Sequence, residues 1–348
     1  MIKRDIIVIG ASAGGFEAIK KIVSDLPSDL EASVFIVWHM AADAPGVLPA
    51  VLNRLDTLPA SYAAQGEDIR HRRIYVAPPD HHLILEKKHV KVSKGPKENR
   101  FRPAIDPLFR SAALSYGQRV IGVILSGGLD DGSAGLWSIK EFGGTAVVQD
   151  PLNAEVSSMP ESALRSVDAD HVLSISEIGP LLKKLVDEPL PEENKGGKHE
   201  NKLTDAEIRI AMEDKALKQN LLQFGTLTPY TCPECHGVLS AIKEGGRLRF
   251  RCHTGHGFSA DSLLVAVTEN IEENLWNAIR NIQESIMLLN HMGDHFAEVN
   301  EPKVAAMYFK KAKDAEKRAE LVRQAVFNHE QLNADGIRSE AKKEVGGI

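Results

Sequence analysis

The stretch Asp5-Ile-Ile-Val-Ile-Gly-Ala-Ser-Ala-Gly-Gly-Phe16 is an apolar strand that runs into a glycine-rich turn. Within it, Gly10 to Gly14 fit the G-x-S-x-G pattern, in which small neighbours let the backbone turn sharply and expose a nucleophilic serine, here Ser12. Glycine-rich turns between strand and helix also bind phosphates and dinucleotides. Residues elsewhere in the chain must therefore distinguish the two uses.

The second predicted strand, Ser33 to Trp38, is followed by His39. A dinucleotide-binding fold needs a second glycine where Ser12 stands and an acidic residue about 20 residues later for the ribose hydroxyls. Histidine is a poor ribose acceptor, but it is a good general base near neutral pH. A lone histidine is more often a packing residue. Because ligands of an open parallel sheet bind at the carboxyl ends of its strands, the positions of Ser12 and His39 favour a site.

A third strand, Arg119 to Leu125, leads into a loop that carries two adjacent carboxylates, Asp130 and Asp131. An Asp-Gly pair is commonly an ordinary turn or helix cap. Its place at the carboxyl end of a strand nevertheless makes a Ser, His, Asp constellation feasible. In such a constellation serine attacks an acyl carbon, histidine takes its proton and aspartate orients the imidazole.

These residues closely resemble the catalytic domain of the chemotaxis protein-glutamate methylesterases, known as CheB. The resemblance covers about residues 4 to 185 and rests on six blocks in family order. The blocks are Ile9-Gly-Ala-Ser-Ala-Gly-Gly15, Trp38-His-Met40, Tyr75-Val-Ala-Pro-Pro-Asp-His-His82, Arg102-Pro-Ala-Ile-Asp-Pro-Leu-Phe109, Gly122 through Gly135, and Ser158-Met-Pro-Glu-Ser-Ala163.

The resemblance implies a catalytic triad of Ser12, His39 and Asp131. Asp130 stands where relatives often have asparagine, so it competes for the orienting role. Backbone N–H groups near Ala13 and Gly128 are the expected oxyanion donors. The implied reaction is hydrolysis of glutamate γ-methyl esters on methyl-accepting chemoreceptors, with glutamine deamidation as a second reaction.

The wider pattern predicts a doubly wound α/β domain with a mostly parallel sheet flanked by helices. The predicted helices are Phe16 to Leu26, Gly46 to Leu55, Pro107 to Tyr116, Ala134 to Phe142, Pro160 to Val167 and Ser176 to Val186. Residues 83–85 and 90–92 are predicted to form a hairpin, and residues 145–149 and 171–174 further strands.

The composition changes after Val186 to a charged, proline- and glycine-containing linker. A short amphipathic helix with Ile208, Met212 and Leu221 on one side is expected within it. The predicted division is 1–187 for the catalytic domain, 188–222 for the linker, 223–261 for a zinc ribbon, 262–335 for a helical hairpin and 336–348 for a polar tail.

Cys232-x2-Cys235 and Cys252-x3-His256 have the spacing of a closed, structural zinc site. His256 is the preferred fourth ligand because some relatives carry a similar tail; His253 and His236 are alternatives. A segment of about 30 residues rarely folds without a metal or a larger core. No cofactor is expected for catalysis.

Two long apolar repeats, the first between Leu264 and Ile282 and the second between Ala305 and Val322, predict a helical hairpin that turns near Asn300 to Pro302. Such a hairpin could bind a regulatory protein. Because full-length chemotaxis relatives carry an N-terminal receiver domain for which there is no room before Ile6, activity is expected to be constitutive or controlled through the zinc and helical modules.

At 348 residues, with 43% hydrophobic residues and a net charge of −6, the chain can bury more than one core and has no overall bias toward nucleic acid. No membrane span or cleavable signal is expected, so a cytoplasmic enzyme is predicted. Two other classes stay open: a noncatalytic signalling scaffold, and a zinc-ribbon nucleic-acid binder that would use Arg247, Arg249 and Arg251.

Overall fold

The computed structural model describes residues 2–40, 46–190, 202–213 and 223–345. The chain divides into two compact units, Met1–Leu263 and Leu264–Ile348. The first unit contains every residue of the predicted triad and of the predicted zinc site. The predicted apolar position Leu221 and most of the predicted linker lie outside the described residues.

A seven-stranded parallel sheet forms the centre of the first unit and confirms the predicted doubly wound fold. Its spatial order is β3-β4-β2-β1-β7-β8-β9. These strands are β1 (Ile6–Ala11), β2 (Ser33–Trp38), β3 (Ala60–Tyr62), β4 (Arg73–Val76), β7 (Val120–Ile124), β8 (Thr145–Gln149) and β9 (His171–Leu173). The two intervening strands, β5 (His82–Glu86) and β6 (His89–Ser93), form a separate antiparallel hairpin. Strand β1 pairs with both β2 and β7, which brings the loops after these three strands together.

Helices cover both faces of the sheet because successive side chains of a strand point to opposite faces. Ile7 and Ile9 belong to one core, and Ile6 and Val8 to the other. The helices of the first core are α1 (Gly15–Asp25), α2 (Leu48–Asn53) and α6 (Ile175–Asp187), and those of the second are α3 (Ile105–Tyr116), α4 (Ser133–Glu141) and α5 (Ser158–Ser166).

Most predicted elements occur within a few residues of their predicted bounds. Strands β3 and β4 have no counterpart among the sequence-based predictions. Strand β3 has only three residues, and Ile74 to Val76 form a short continuous apolar run without the alternation that marks a half-buried strand. Both strands lie at one end of the sheet, away from β1.

The first unit also contains an antiparallel four-stranded sheet, with the order β10-β11-β12-β13. Its strands are β10 (Thr226–Thr231), β11 (Val238–Glu244), β12 (Arg247–Cys252) and β13 (Gly257–Ser259), preceded by helix α7 (Lys202–Ala211). We call α7 and these four strands the accessory module. Helix α7 packs against α3 and the β5–β6 hairpin, with Ile208 and Ala211 in contact with Ile84.

The second unit is helical. Helix α8 (Ala260–Glu298) begins at the end of the first unit, and α9 (Pro302–Phe327) returns beside it. Phe296 and Tyr308 stack with ring centroids 5.3 Å apart, and His329 Nε2 lies 2.9 Å from the carbonyl of Thr268. A further helix, α10 (Ala334–Val345), occupies most of the region for which the sequence predicts a polar tail.

None of the helices that the structure describes could cross a membrane. Within the described ranges, even the 39-residue α8 does not combine the length and apolar character that a membrane span requires.

Candidate active site

Ser12 lies in the turn between β1 and α1, as the glycine pattern predicts. The backbone N–H of Ser12 donates to the carbonyl of Ser126, and the N–H of Gly15 donates to the carbonyl of Ser12. The left-handed conformation falls on Gly14, with φ of +71°. Because a side chain would be strained at that φ, the turn requires glycine at position 14, whereas position 12 can carry the serine side chain.

Two contacts hold this turn in place. The indole Nε1 of Trp38 donates to the carbonyl of Ser12 at 3.0 Å, and the ring of Phe16 packs against Trp38 with centroids 5.2 Å apart. On the other side, a Cβ added to Gly127 would lie 2.9 Å from the Cβ of Ser12. The loop after β7 can approach the nucleophile this closely because residue 127 has no side chain.

His39 and Asp131 meet although 92 residues separate them in the chain. The Nε2 atom of His39 lies 2.8 Å from Oδ2 of Asp131, and both side chains are almost fully buried. The hydrogen bond assigns the proton to Nε2, since the carboxylate can only accept. Nδ1 of His39 is buried and makes no hydrogen bond to any described residue. It is therefore the ring nitrogen that can accept a proton, which exchanges the usual roles of the two nitrogens in a serine triad.

Asp131 is held by a dense set of donors. Oδ2 also accepts from the backbone N–H of Ile105 at 2.6 Å, while Oδ1 accepts from Asn99 Nδ2 at 2.9 Å and from the N–H of Gly132 at 3.0 Å. Burial alone would raise the pKa of Asp131, but the bonds from His39, Ile105 and Asn99 hold it below its ordinary value. Asp131 is therefore charged at neutral pH.

Asp130 faces a different partner. Its Oδ1 accepts from the hydroxyl of Ser259 at 2.7 Å. Burial, together with the charges of Asp261 and Asp106, raises the pKa of Asp130 to about 7, against the lowering effect of the Ser259 bond. Of the two adjacent carboxylates, the one that contacts His39 is Asp131.

The candidate oxyanion donors have free backbone N–H groups. Among the described residues, neither Ala13 N–H nor Gly128 N–H donates to another protein group, whereas the N–H groups of Gly127 and Leu129 bond to the carbonyl of Val156 and the hydroxyl of Ser158. Ala13 lines the cleft with Ser12. A side chain at Gly128 would meet no atom within 4 Å, so the space beside it is open.

A cleft of about 590 Å³ opens over this centre. Ser12 and His39 both line it, with aromatic rings from Phe16, Trp38 and Phe101 and cationic side chains from Lys97, Arg100 and Arg102. Arg102 is fixed in place by two bonds to Oδ1 of Asp80, at 2.9 and 2.7 Å. The cleft therefore combines the predicted nucleophile and the predicted base with a margin that carries cationic side chains.

Asn99 and Phe101 are neighbours of the triad that the sequence does not reveal. The Phe101 ring stacks on His39 with centroids 3.8 Å apart. Asn99 bonds to Asp131 and to Asp106. Both come from an irregular loop, so neither periodicity nor spacing marks them. The aromatic residue next to the Arg102-Pro103 block was the one available signal.

The cysteine and histidine side chains predicted to bind zinc converge. The donor atoms of Cys232, Cys235, Cys252 and His256 all lie within 4.8 Å of one another. The Sγ atoms of Cys235 and Cys252 are 3.6 Å apart, and His256 Nδ1 lies 3.7 Å from Cys232 Sγ and 3.6 Å from Cys252 Sγ. Tetrahedral zinc with bonds of about 2.0 to 2.3 Å would place its ligands at nearly these separations. The donor set therefore fits the metal.

The arginines of β12 do not form an exposed basic strip. Arg249 and Arg251 are buried and bond to Glu207 of α7 at 2.8 and 2.9 Å. The Arg247 guanidinium lies 4.4 Å from the ring centroid of Trp137. These contacts occupy the side chains on which the nucleic-acid hypothesis depends.

Comparison with known proteins identifies the part of the chain that carries the candidate site. The family model described as CheB methylesterase matches residues 7–182, which is half of the chain. That range includes Ser12, His39 and Asp131 and ends before α7.

Individual relatives also match about half of this chain. A protein of Leptospira interrogans is 44% identical over 180 residues, which are 51% of this chain and 93% of that protein. The protein-glutamate methylesterase/protein-glutamine glutaminase 2 of Anaeromyxobacter dehalogenans is 36% identical over 181 residues, and the match spans 53% of its length. The crystal structure of the Thermotoga maritima CheB methylesterase catalytic domain is 34% identical, with a TM-score of 0.50, and is covered completely by 53% of this chain.

Proposed function

The chain belongs to the CheB methylesterase family, and we propose that it removes methyl groups from glutamate γ-methyl esters of methyl-accepting chemoreceptors or similar signalling proteins, with Ser12, His39 and Asp131 as its catalytic triad. The observation that carries the proposal is the buried His39–Asp131 pair at 2.8 Å, whose His39 lines the same cleft as Ser12.

In the first half of the reaction, Ser12 Oγ attacks the ester carbonyl carbon and Nδ1 of His39 takes the serine proton. Asp131 keeps the other imidazole proton on Nε2 and stabilises the imidazolium that forms. The N–H groups of Ala13 and Gly128 are the proposed donors to the oxyanion. The bond to the methoxy oxygen then breaks, and methanol leaves with the proton from His39.

In the second half, water attacks the acyl-serine while Nδ1 of His39 takes its proton. Collapse of the second tetrahedral intermediate breaks the bond to Ser12 Oγ, which takes the proton back and releases glutamate. Glutamine deamidation follows the same sequence with ammonia as the first leaving group, and the Anaeromyxobacter relative is named for both activities.

The Cys/His cluster is proposed to hold one structural zinc ion. Four protein ligands would fill the tetrahedron, so the metal has no open position for substrate and serves the fold alone. Because the three thiols must stay reduced to bind zinc, the cytoplasm is the proposed compartment.

Control by another protein is proposed to act through the second unit. Helices α8 and α9 expose large apolar side chains, including Trp276, Met287, Leu321 and Phe327. Contiguous patches of exposed apolar side chains are typical of surfaces that bind protein partners, and we propose that these side chains contribute to such a patch.

The proposed function is tested by methanol release from a methyl-esterified chemoreceptor fragment. Ser12→Ala should lower kcat/KM by several orders of magnitude, as in other serine triads. Asp131→Asn should lower it by about 10⁴-fold because the amide favours the wrong imidazole tautomer. Asp130→Asn is the matched control and should stay within about threefold, since an asparagine can still accept from Ser259.

The wild-type protein must release methanol for the proposal to stand. Equal rates for wild type and Ser12→Ala would support a noncatalytic scaffold. A large loss in Asp130→Asn with little loss in Asp131→Asn would show that Asp130, and not Asp131, is the orienting carboxylate.

A further inference from the structure

The loop of residues 97–102 joins the catalytic centre to the accessory module. On one side it supplies Phe101, which stacks on His39, and Asn99, whose Nδ2 donates to Asp131 Oδ1 at 2.9 Å and to Asp106 Oδ2 at 3.0 Å. Asn99 is itself buried, and its φ is +48°. Residues outside the loop must hold such a backbone conformation in place.

The accessory module binds the other side of this loop. The N–H of Asn99 donates to the carbonyl of Gly257 at 2.8 Å, and the N–H of Gly257 donates to the carbonyl of Lys97 at 3.1 Å. Asn99 Oδ1 accepts from the N–H of Ser259 at 2.9 Å and from the hydroxyl of Ser262 at 3.2 Å. Strand β13 and the start of α8 therefore hold the loop by both backbone and side chain.

The amide of Asn99 is fully used and has one possible orientation. Its two N–H bonds go to two carboxylates, and its oxygen accepts from two donors. The reverse orientation would point the amide oxygen at the carboxylates of Asp106 and Asp131 and the amide N–H groups at the donors of Ser259 and Ser262, so all four bonds would be lost. Asn99 is thus a bridge that can transmit the position of β13 to the carboxylate of Asp131.

A buried ion network makes a second connection between the same elements. Glu98 of the loop pairs with Arg251 of β12 at 2.8 Å and with Arg110 of α3. Glu207 of α7 bonds to Arg251 and Arg249 and lies 3.6 Å from Arg110. Because an unpaired buried charge is costly, these pairs oppose separation of the module from the catalytic domain.

We propose that Asn99 is a positioning residue for Asp131 and that residues 257–262 hold it there, so that β13 of the accessory module and the start of α8 complete the active site. The inference rests on the proposed function for its kinetic consequences, but not for the contacts themselves. The residues that hold Asn99 lie beyond the range that the family match covers. The contacts that position Asn99 therefore come from the part of the chain that follows the family domain.

The test uses the full chain and the variants Asn99→Ala and Asn53→Ala. Asn53 is the control because its amide is likewise bonded through both nitrogen and oxygen, to the backbone of Ala60 on an outer strand of the sheet away from the catalytic centre. Asn99→Ala should lower kcat by about 10- to 100-fold, the range for losing one hydrogen bond to a charged group, with KM within about twofold. Asn53→Ala should leave both constants within about twofold.

A second readout needs no substrate. In protein labelled at histidine, the proton on Nε2 of His39 gives an NMR signal whose position reports its bond to Asp131. Asn99→Ala should shift or broaden that signal, and Asn53→Ala should not. This measurement separates the two proposals, since wild-type protein without esterase activity would defeat the proposed function while the signal still tests the role of Asn99.

Ser262→Ala keeps the inference testable if Asn99→Ala does not fold, because it removes one donor to Asn99 Oδ1 and leaves the asparagine in place. A two- to fivefold loss of kcat with a shifted His39 signal is expected. Unchanged kcat and an unchanged signal in Ser262→Ala and in folded Asn99→Ala would overturn the role of Asn99.

Discussion

Asp130 and Asp131 are adjacent in sequence, yet their surroundings give them opposite properties. Asp131 accepts from His39 and several further donors, which holds its pKa low. Asp130 is half-buried and accepts one bond from Ser259, and its pKa is raised to about 7. A single residue step along the loop therefore separates a carboxyl whose pKa is lowered from one whose pKa is raised to about 7.

The raised pKa of Asp130 predicts a pH-dependent stability difference. A carboxyl whose pKa is higher in the folded than in the unfolded state stabilises the fold at low pH and loses that contribution as pH rises through about 7. Asp130→Asn removes the titrating group and therefore this loss. The free energy of unfolding of the variant, relative to that of wild type, should rise by about 1 to 2 kcal/mol from pH 5 to pH 8, after allowance for screening by solvent.

Urea unfolding of both proteins at the two pH values measures this difference. Asp106, Asp131, Asp261 and Ser259 face Asp130 and are present in both proteins, so their contributions to the pH dependence largely cancel. An identical pH dependence in variant and wild type would contradict the burial assigned to Asp130.

At the scale of elements, α7 supplies the charge on which the accessory module depends. Glu207 is completely buried, and its pKa is held low because three arginines outweigh its burial. Arg249 and Arg251 come from β12 and Arg110 from α3. One carboxylate thus joins the module to a helix of the catalytic domain.

Glu207→Gln should destabilise the first unit by about 3 to 5 kcal/mol, because it removes the carboxylate that three buried arginines share and leaves Glu98 and Glu244 as the carboxylates nearest to them. Asp205→Asn is the control on the same helix; it breaks an exposed pair with Arg209 and should cost less than about 0.5 kcal/mol. Equal denaturant midpoints for the two variants would show that the buried network contributes little.

The elements that could be predicted are those whose signal is local. The run from Ile6 to Gly15 shows its strand, turn and helix start in consecutive residues. Asn99 could not be predicted, because its partners Asp131 and Ser259 lie 32 and 160 residues away. The packing of α7 against α3 was hidden for the same reason, since a buried Glu207 appears in sequence as an ordinary charged helix residue.

For the whole molecule, the Cys/His cluster ends at His256, immediately before the strand that holds Asn99. The N–H of Cys252 also donates to the carbonyl of His256 at 3.1 Å. Metal bound at this cluster would fix the start of β13. The two proposed functions of the first unit, ester hydrolysis and zinc binding, are therefore expected to depend on each other.

His256→Ala should lose the zinc, lower the melting temperature and reduce methanol release, because the metal supplies much of the folding energy of a small module. His253→Ala is the control: His253 is exposed and is not among the four converging donors. Metal analysis, thermal unfolding and kinetics on the same samples check the three effects. Full zinc content in His256→Ala, or loss of zinc in His253→Ala, would contradict the ligand set.

The most direct measurement is mass spectrometry of wild-type protein quenched with acid during the first turnover of a methyl-esterified glutamate peptide. An ester between the peptide and Ser12, with the mass of substrate less methanol, is the predicted result. Release of methanol with no adduct, or with an adduct on another residue, would contradict the role of Ser12 as the nucleophile.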